Sequence, residues 1–178
     1  SEEELLRKLE EISRRVTRAL EKLLEDHERL SREVAERLED LLRRHKKLLE
    51  ELIKLAEERV SDKDKVRELK ERLRKNLDDL REHVRRDKER NEKNIEDLER
   101  HIRRDKKENE EALDDVRKTK QPEEELDERI RRLKDKNKKN LDDLREHSKE
   151  VLERNKENLD ELRKHSKKVL DEARKELK

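Results

Sequence analysis

The sequence predicts an all-α protein: a long, nearly straight, up-down-up antiparallel three-helix bundle, with residues 1–178 forming one domain. Three observations carry this prediction. First, of the 178 residues 60 % are charged and 26 % hydrophobic, with no glycine, cysteine, methionine or aromatic residue and a single proline. Leu, Glu, Lys and Arg dominate, and all are strong helix formers. Second, the apolar residues step by threes and fours; Leu5, Leu6, Leu9, Ile12, Val16, Leu20, Leu23 and Leu24 open the pattern. That spacing keeps one stripe of an α-helix apolar. Third, only two places carry turn signals. High charge with few hydrophobes can also mean disorder. Here the helical period and the fine interspersion of opposite charges, which supports i,i+4 pairs, argue against it.

Helix 1 is expected over about 2–60. It opens on Ser1-Glu2-Glu3-Glu4, a capping residue followed by carboxylates at the positive end of the helix dipole. The first turn signal is Val60-Ser61-Asp62-Lys63-Asp64, where Ser61 and Asp64 resemble a variant capping box. Helix 2 follows over about 62–119. The second signal is Thr119-Lys120-Gln121-Pro122, ahead of Glu123-Glu124-Glu125, and proline suits the first helical position. Helix 3 is expected over about 122–178. Each helix would be about 85 Å long at 1.5 Å rise per residue. Connections this short fold successive helices back antiparallel.

An internal repeat of 18 residues runs through all three helices. Residues 13–30 match 31–48, residues 75–92 match 93–110, and residues 139–156 match 157–174. Eighteen residues are five whole turns, so the same face returns without drift and no left-handed supercoil is imposed.

The stripes are not purely apolar. His27 and His45 lie on the centre line of the helix 1 stripe, among Leu20, Leu24, Leu38, Leu41 and Leu49. The helix 2 face carries Asn76, His83, Asp87, Asn91, Asn94, His101, Asp105 and Asn109. The helix 3 face carries Asn137, Asn140, His147, Ser148, Asn155, Asn158, His165 and Ser166. A core built for stability alone would use Leu or Ile at these positions. Asn and His belong in a core only when they hydrogen-bond one another, although an inward Asn also serves to specify helix alignment.

His147 lies 120 residues after His27, and His165 lies 120 residues after His45. Turns at about 61 and 121 place parallel helices 1 and 3 at nearly that offset. Levels on antiparallel helices 1 and 2 should match where residue numbers add to about 122. Two clusters with one histidine from each helix are therefore expected: His27, His101 and His147, and His45, His83 and His165. Asn140 and Asn158 are their expected hydrogen-bond partners. Asp87 and Asp105, at i+4 from His83 and His101, would accept from the same rings or stay at the core boundary.

These glycine-free, aromatic-free helices coated in Glu, Lys and Arg resemble computationally designed, de novo parametric helical bundles with buried His and Asn hydrogen-bond networks. They are similar to the designed pH-responsive ones. The resemblance extends over the whole chain and implies high stability, a polar network placed deliberately in the core, and no evolved ligand. Spectrin-type three-helix repeats are the nearest natural comparison, but they are shorter and use tryptophan, which is missing here.

The functional expectation is a structural protein without natural activity, destabilised when buried histidines protonate. A neutral histidine donates from one nitrogen and accepts at the other, whereas a protonated one only donates. Catalysis is not expected: Ser148 and Ser166 merely follow a histidine, and no pocket or lid is evident. Without glycine there is no phosphate-cradling loop, and without cysteine no disulfide or thiolate chemistry. Zinc held by three histidines is an alternative, disfavoured because no helix supplies an i,i+3 or i,i+4 ligand pair of the kind bundle sites use. No cofactor is expected. A net charge of +1 steers the chain to neither nucleic acid nor membrane, and no small-molecule ligand is implied. No apolar run is long enough for a signal peptide or membrane span. The chain is expected to be soluble, with no natural compartment and a cytoplasmic one on recombinant expression. It would be a monomer or a designed self-associating block of an oligomer or filament. The wide Leu-rich stripe of helix 1 is the face that could touch another chain.

Overall fold

The computed structural model describes all residues, Ser1–Lys178. It contains three α-helices and no strand: α1 (Glu2–Arg59), α2 (Lys63–Lys118) and α3 (Glu123–Glu176). They form an all-α three-helix bundle. Each helix ends one or two residues short of its expected C-terminal limit, and α2 and α3 each start one residue later than expected.

The caps explain the shifts. Asp62, not Ser61, caps α2: its Oδ1 accepts the backbone N–H of Asp64 at 3.0 Å and of Lys65 at 3.4 Å. The expected Ser61–Asp64 capping box is therefore replaced by an aspartate cap one residue later, and Ser61 is exposed. Pro122 sits just before α3, where its carbonyl accepts the N–H of Leu126 at 3.1 Å. Having no N–H of its own, it loses nothing there. At the start of α1, Ser1 Oγ accepts the N–H of Glu4 at 3.3 Å. Both connections are made without any residue at positive φ, which is how the chain turns twice without glycine.

The chain divides into two compact units, each drawing one segment from every helix. The first comprises Ser1–Leu30 and Lys93–Leu152, the second Ser31–Glu92 and Glu153–Lys178. On α1 and α2 the division falls on the repeat: residues 13–30 and 93–110 belong to the first unit and their counterparts 31–48 and 75–92 to the second.

In the first unit, Leu20, Leu98 and Ile102 form one core cluster and Leu9, Val116, Leu126 and Ile130 another. In the second, Val34, Leu38, Leu80, Val84 and Leu159 form one cluster. A larger cluster there gathers Leu49, Leu52, Ala56, Leu69, Leu73, Leu77, Leu170 and Ala173. No large hydrophobic side chain is exposed. Much of the helix 1 stripe is buried in these clusters, while Leu23, Leu30 and Leu55 are half-buried.

Within each unit α1 and α2 run antiparallel. Clustered residues such as Leu20 with Ile102, and Leu49 with Leu73, have numbers adding to 122, the expected level relation. Ion pairs join the same two helices at a different count. Glu10–Arg117, Glu21–Lys106, Glu39–Lys88 and Glu57–Lys70 all add to 127. The difference of five residues is about 7.5 Å of helix. Side chains lean toward their own helix N-terminus, so on antiparallel helices two long side chains lean toward each other and close that gap.

Candidate functional site

α1 brings one histidine into the core of each unit. His27 and His45 are each 2 % exposed. Each lies on a stripe made mostly of leucine, so burial of that stripe carries the imidazole in with it. The Nδ1 of His27 is 2.7 Å from Ser148 Oγ, and the Nδ1 of His45 is 2.6 Å from Ser166 Oγ. Both serines are buried. In the neutral state either the serine hydroxyl donates to a bare Nδ1 or a protonated Nδ1 donates to the serine oxygen. The opposite nitrogen, Nε2, is buried and has no protein hydrogen-bond partner in either histidine.

The electrostatics follow from this placement. Burial is the first cause that pushes the His27 pKa below the ordinary value of 6.5, and the nearby His147 adds like-charge repulsion. His45 is lowered in the same way, first by burial and then by His165. In the imidazolium both nitrogens carry a proton: Nδ1–H must donate to serine, and Nε2–H has no acceptor in the protein. The arrangement therefore holds a neutral imidazole well and an imidazolium badly.

The expected clusters of three buried histidines are not formed. His83, His101, His147 and His165 are all exposed. The cause is one residue of helical phase. Each is followed by the residue that turns inward: Val84, Ile102, Ser148 and Ser166 are all buried. A step of one residue is about 100°, which takes the preceding histidine to the surface. His147 and His165 nonetheless stay near enough to α1 for their charge to act on His27 and His45.

The bonds expected from Asn140 and Asn158 go instead to Ser148 and Ser166. Asn76, Asn94, Asn140 and Asn158 are half-buried. Asn91, Asn109, Asn137 and Asn155 are buried, and the Nδ2 of each has no hydrogen-bond partner. Asp87 and Asp105 lie at the core boundary and bond no histidine. Burial raises the Asp87 pKa above its ordinary value, against the lowering effect of Arg90 and His83. Asp105 is likewise raised, first by burial and then by Glu108, against His101, Arg104 and Lys136.

Two buried polar residues escaped the sequence reading: Ser13 and Ser31, at 8 % and 1 % exposure. Their signal was present, because each occupies the first position of a repeat and steps by three to Val16 or Val34. Ser13 with Asn109, and Ser31 with Asn91, also add to 122 and so lie level across α1 and α2. Asn137 and Asn155 lie within a turn of them on α3. Each unit therefore contains two polar layers, one His–Ser and one Ser–Asn–Asn.

No three His, Asp or Glu side chains converge into a group that could hold a metal ion. No helix is long and apolar enough to cross a membrane. No protein-family model, curated protein or solved structure matches the chain.

Proposed function

We propose that the chain is a de novo designed helical bundle whose function is its response to pH: the fold is secure while His27 and His45 are neutral and weakens as they protonate. The observation that carries this reading is the buried Nδ1–Oγ bond, made once in each unit at 2.7 and 2.6 Å beside an Nε2 that no protein group accepts. The strict repeat and the glycine-free, aromatic-free composition support a designed origin.

The direction follows from linkage. The folded pKa of each histidine lies below the unfolded value of about 6.5. Below that pH the unfolded chain binds more protons than the folded one, so unfolding becomes easier as pH falls. The loss stops accumulating once pH passes below the folded pKa. The test is an NMR titration of the histidine Cε1–H signals, with His27 and His45 assigned through His27→Asn and His45→Asn. Both should titrate below about 6.5 in the folded protein. Titration of either at or above that value overturns the reading.

A further inference from the structure

Between α1 and α3 of the second unit runs a groove of about 470 Å³. That volume lies within the range of small-molecule sites. Its lining is unusual for this chain, in which basic and acidic residues number 54 and 53. Arg37 and Arg44 come from α1, and Arg163, Lys167 and Arg174 from α3, against two carboxylates, Asp40 and Asp171. Both carboxylates are already engaged: Asp40 pairs with Arg43, which stands outside the groove, and Asp171 pairs with Arg174 at 3.2 Å. Arg163 pairs with Asp160 at 3.5 Å. Arg37, Arg44 and Lys167 are left facing one groove with no carboxylate partner.

The lining also includes the buried pair His45 and Ser166. The His45 Nε2 is a buried polar atom without a protein partner. Like charges gathered along one groove repel one another, and an anion among them relieves that repulsion. Two guanidinium groups flanking a tetrahedral oxyanion can each present paired N–H donors.

The repeat supplies an internal contrast. Eighteen residues earlier, the counterparts of Arg37 and Arg44 are Ala19 and Asp26, while those of Arg163 and Lys167 are Arg145 and Lys149. The first unit therefore keeps two of the three α3 cations but lacks both arginines of the α1 wall. We propose that the groove over His45 and Ser166 is a binding site for a small, free, multivalent phosphate-type anion, and that its counterpart over His27 is not.

The probe is inorganic pyrophosphate, titrated at constant ionic strength against sodium chloride. Two readouts are followed: the Cε1–H signals of His45 and His27, and calorimetric affinity. Pyrophosphate should shift His45 saturably and leave His27 in place. The exposed pair Arg37→Gln and Arg44→Gln should weaken binding at least tenfold while helicity is unchanged. The matched pair Arg145→Gln and Lys149→Gln, which removes the same charge from the first unit, should leave affinity unchanged. Three outcomes overturn the proposal: no saturable shift of His45, equal shifts at both histidines, or equal loss of affinity in the two variants. None of them touches the pH reading, which rests on the burial of His27 and His45 and not on the cations of the groove.

Discussion

The Nδ1 of His27 meets the Oγ of Ser148 at 2.7 Å across α1 and α3, and the same bond recurs 18 residues on between His45 and Ser166 at 2.6 Å. Each pair is separated by 121 residues, so the turns set the register that lets a histidine and a serine share a layer. Because 18 residues are five whole turns, one solution of this packing problem serves both units. Each bond leaves the second imidazole nitrogen, Nε2, buried without a partner, and the proposed pH response rests on it.

Removing the serine hydroxyl should expose how much the bond contributes. Ser148→Ala and Ser166→Ala each leave a buried imidazole with neither nitrogen paired. A stability loss of about 1–3 kcal/mol per site is expected near neutral pH, the usual cost of an unsatisfied buried polar group. Denaturant unfolding of the single and double variants measures it. The two losses should be nearly additive, since the pairs belong to different units and share no partner.

The Ser–Asn–Asn layers predict the opposite sign. Asn91, Asn109, Asn137 and Asn155 are buried with an unpartnered Nδ2. Replacing them with leucine removes that desolvation cost and adds apolar burial, so stability should rise, by roughly 1–3 kcal/mol per site. The expected penalty is in alignment: a buried Asn at one level disfavours other registers. Sedimentation equilibrium and amide exchange should therefore show more association or less uniform protection in the fourfold variant, despite its higher unfolding midpoint.

Asp87 and Asp105 form a further test of burial. Both carboxyls are raised in the fold, with burial as the first cause. The folded chain therefore holds their protons to higher pH than the unfolded chain does, so ionisation opposes folding above that range and the opposition fades as pH falls. Asp87→Asn and Asp105→Asn should each stabilise the protein modestly at neutral pH and flatten its stability profile just above the ordinary aspartate value of about 3.9. Unfolding curves across that range would show it.

Much of the fold was legible because helical order is local. Leucine spacing, two short punctuated connections and the lack of any other break lead directly to three helices, and the level relation of 122 follows from the position of the first turn alone. The capping residues were less legible. Ser61 and Asp62 are both good caps, and only the direction in which the backbone enters α2 chooses between them. The site was half legible. His27 and His45 stand on the centre line of a wide apolar stripe, where a small error of helical phase still leaves them inward. On α2 and α3 the polar inward stripe is broad, so His147 and Ser148 looked equally inward. Which of two neighbours is buried depends on the rotation of the helix against its partners, a tertiary property. Ser13 and Ser31 were passed over because serine is common on helix surfaces, although their repeat positions and their levels opposite Asn109 and Asn91 marked them.

The central claim is that two of six histidines carry the pH response. It is tested most directly by denaturant unfolding at about pH 7.5 and about pH 5, on either side of the ordinary histidine pKa. Three proteins are compared: the parent, the variant His27→Asn with His45→Asn, and the variant with His83, His101, His147 and His165 all changed to Asn. The parent should lose stability at the lower pH, by about 1.4 kcal/mol for each pH unit over which each buried histidine stays neutral in the fold. The fourfold variant should keep most of that loss, less the part due to repulsion from His147 and His165. The twofold variant should retain only the loss due to other groups. A twofold variant as acid-sensitive as the parent, or a fourfold variant that has lost the response, would contradict the account.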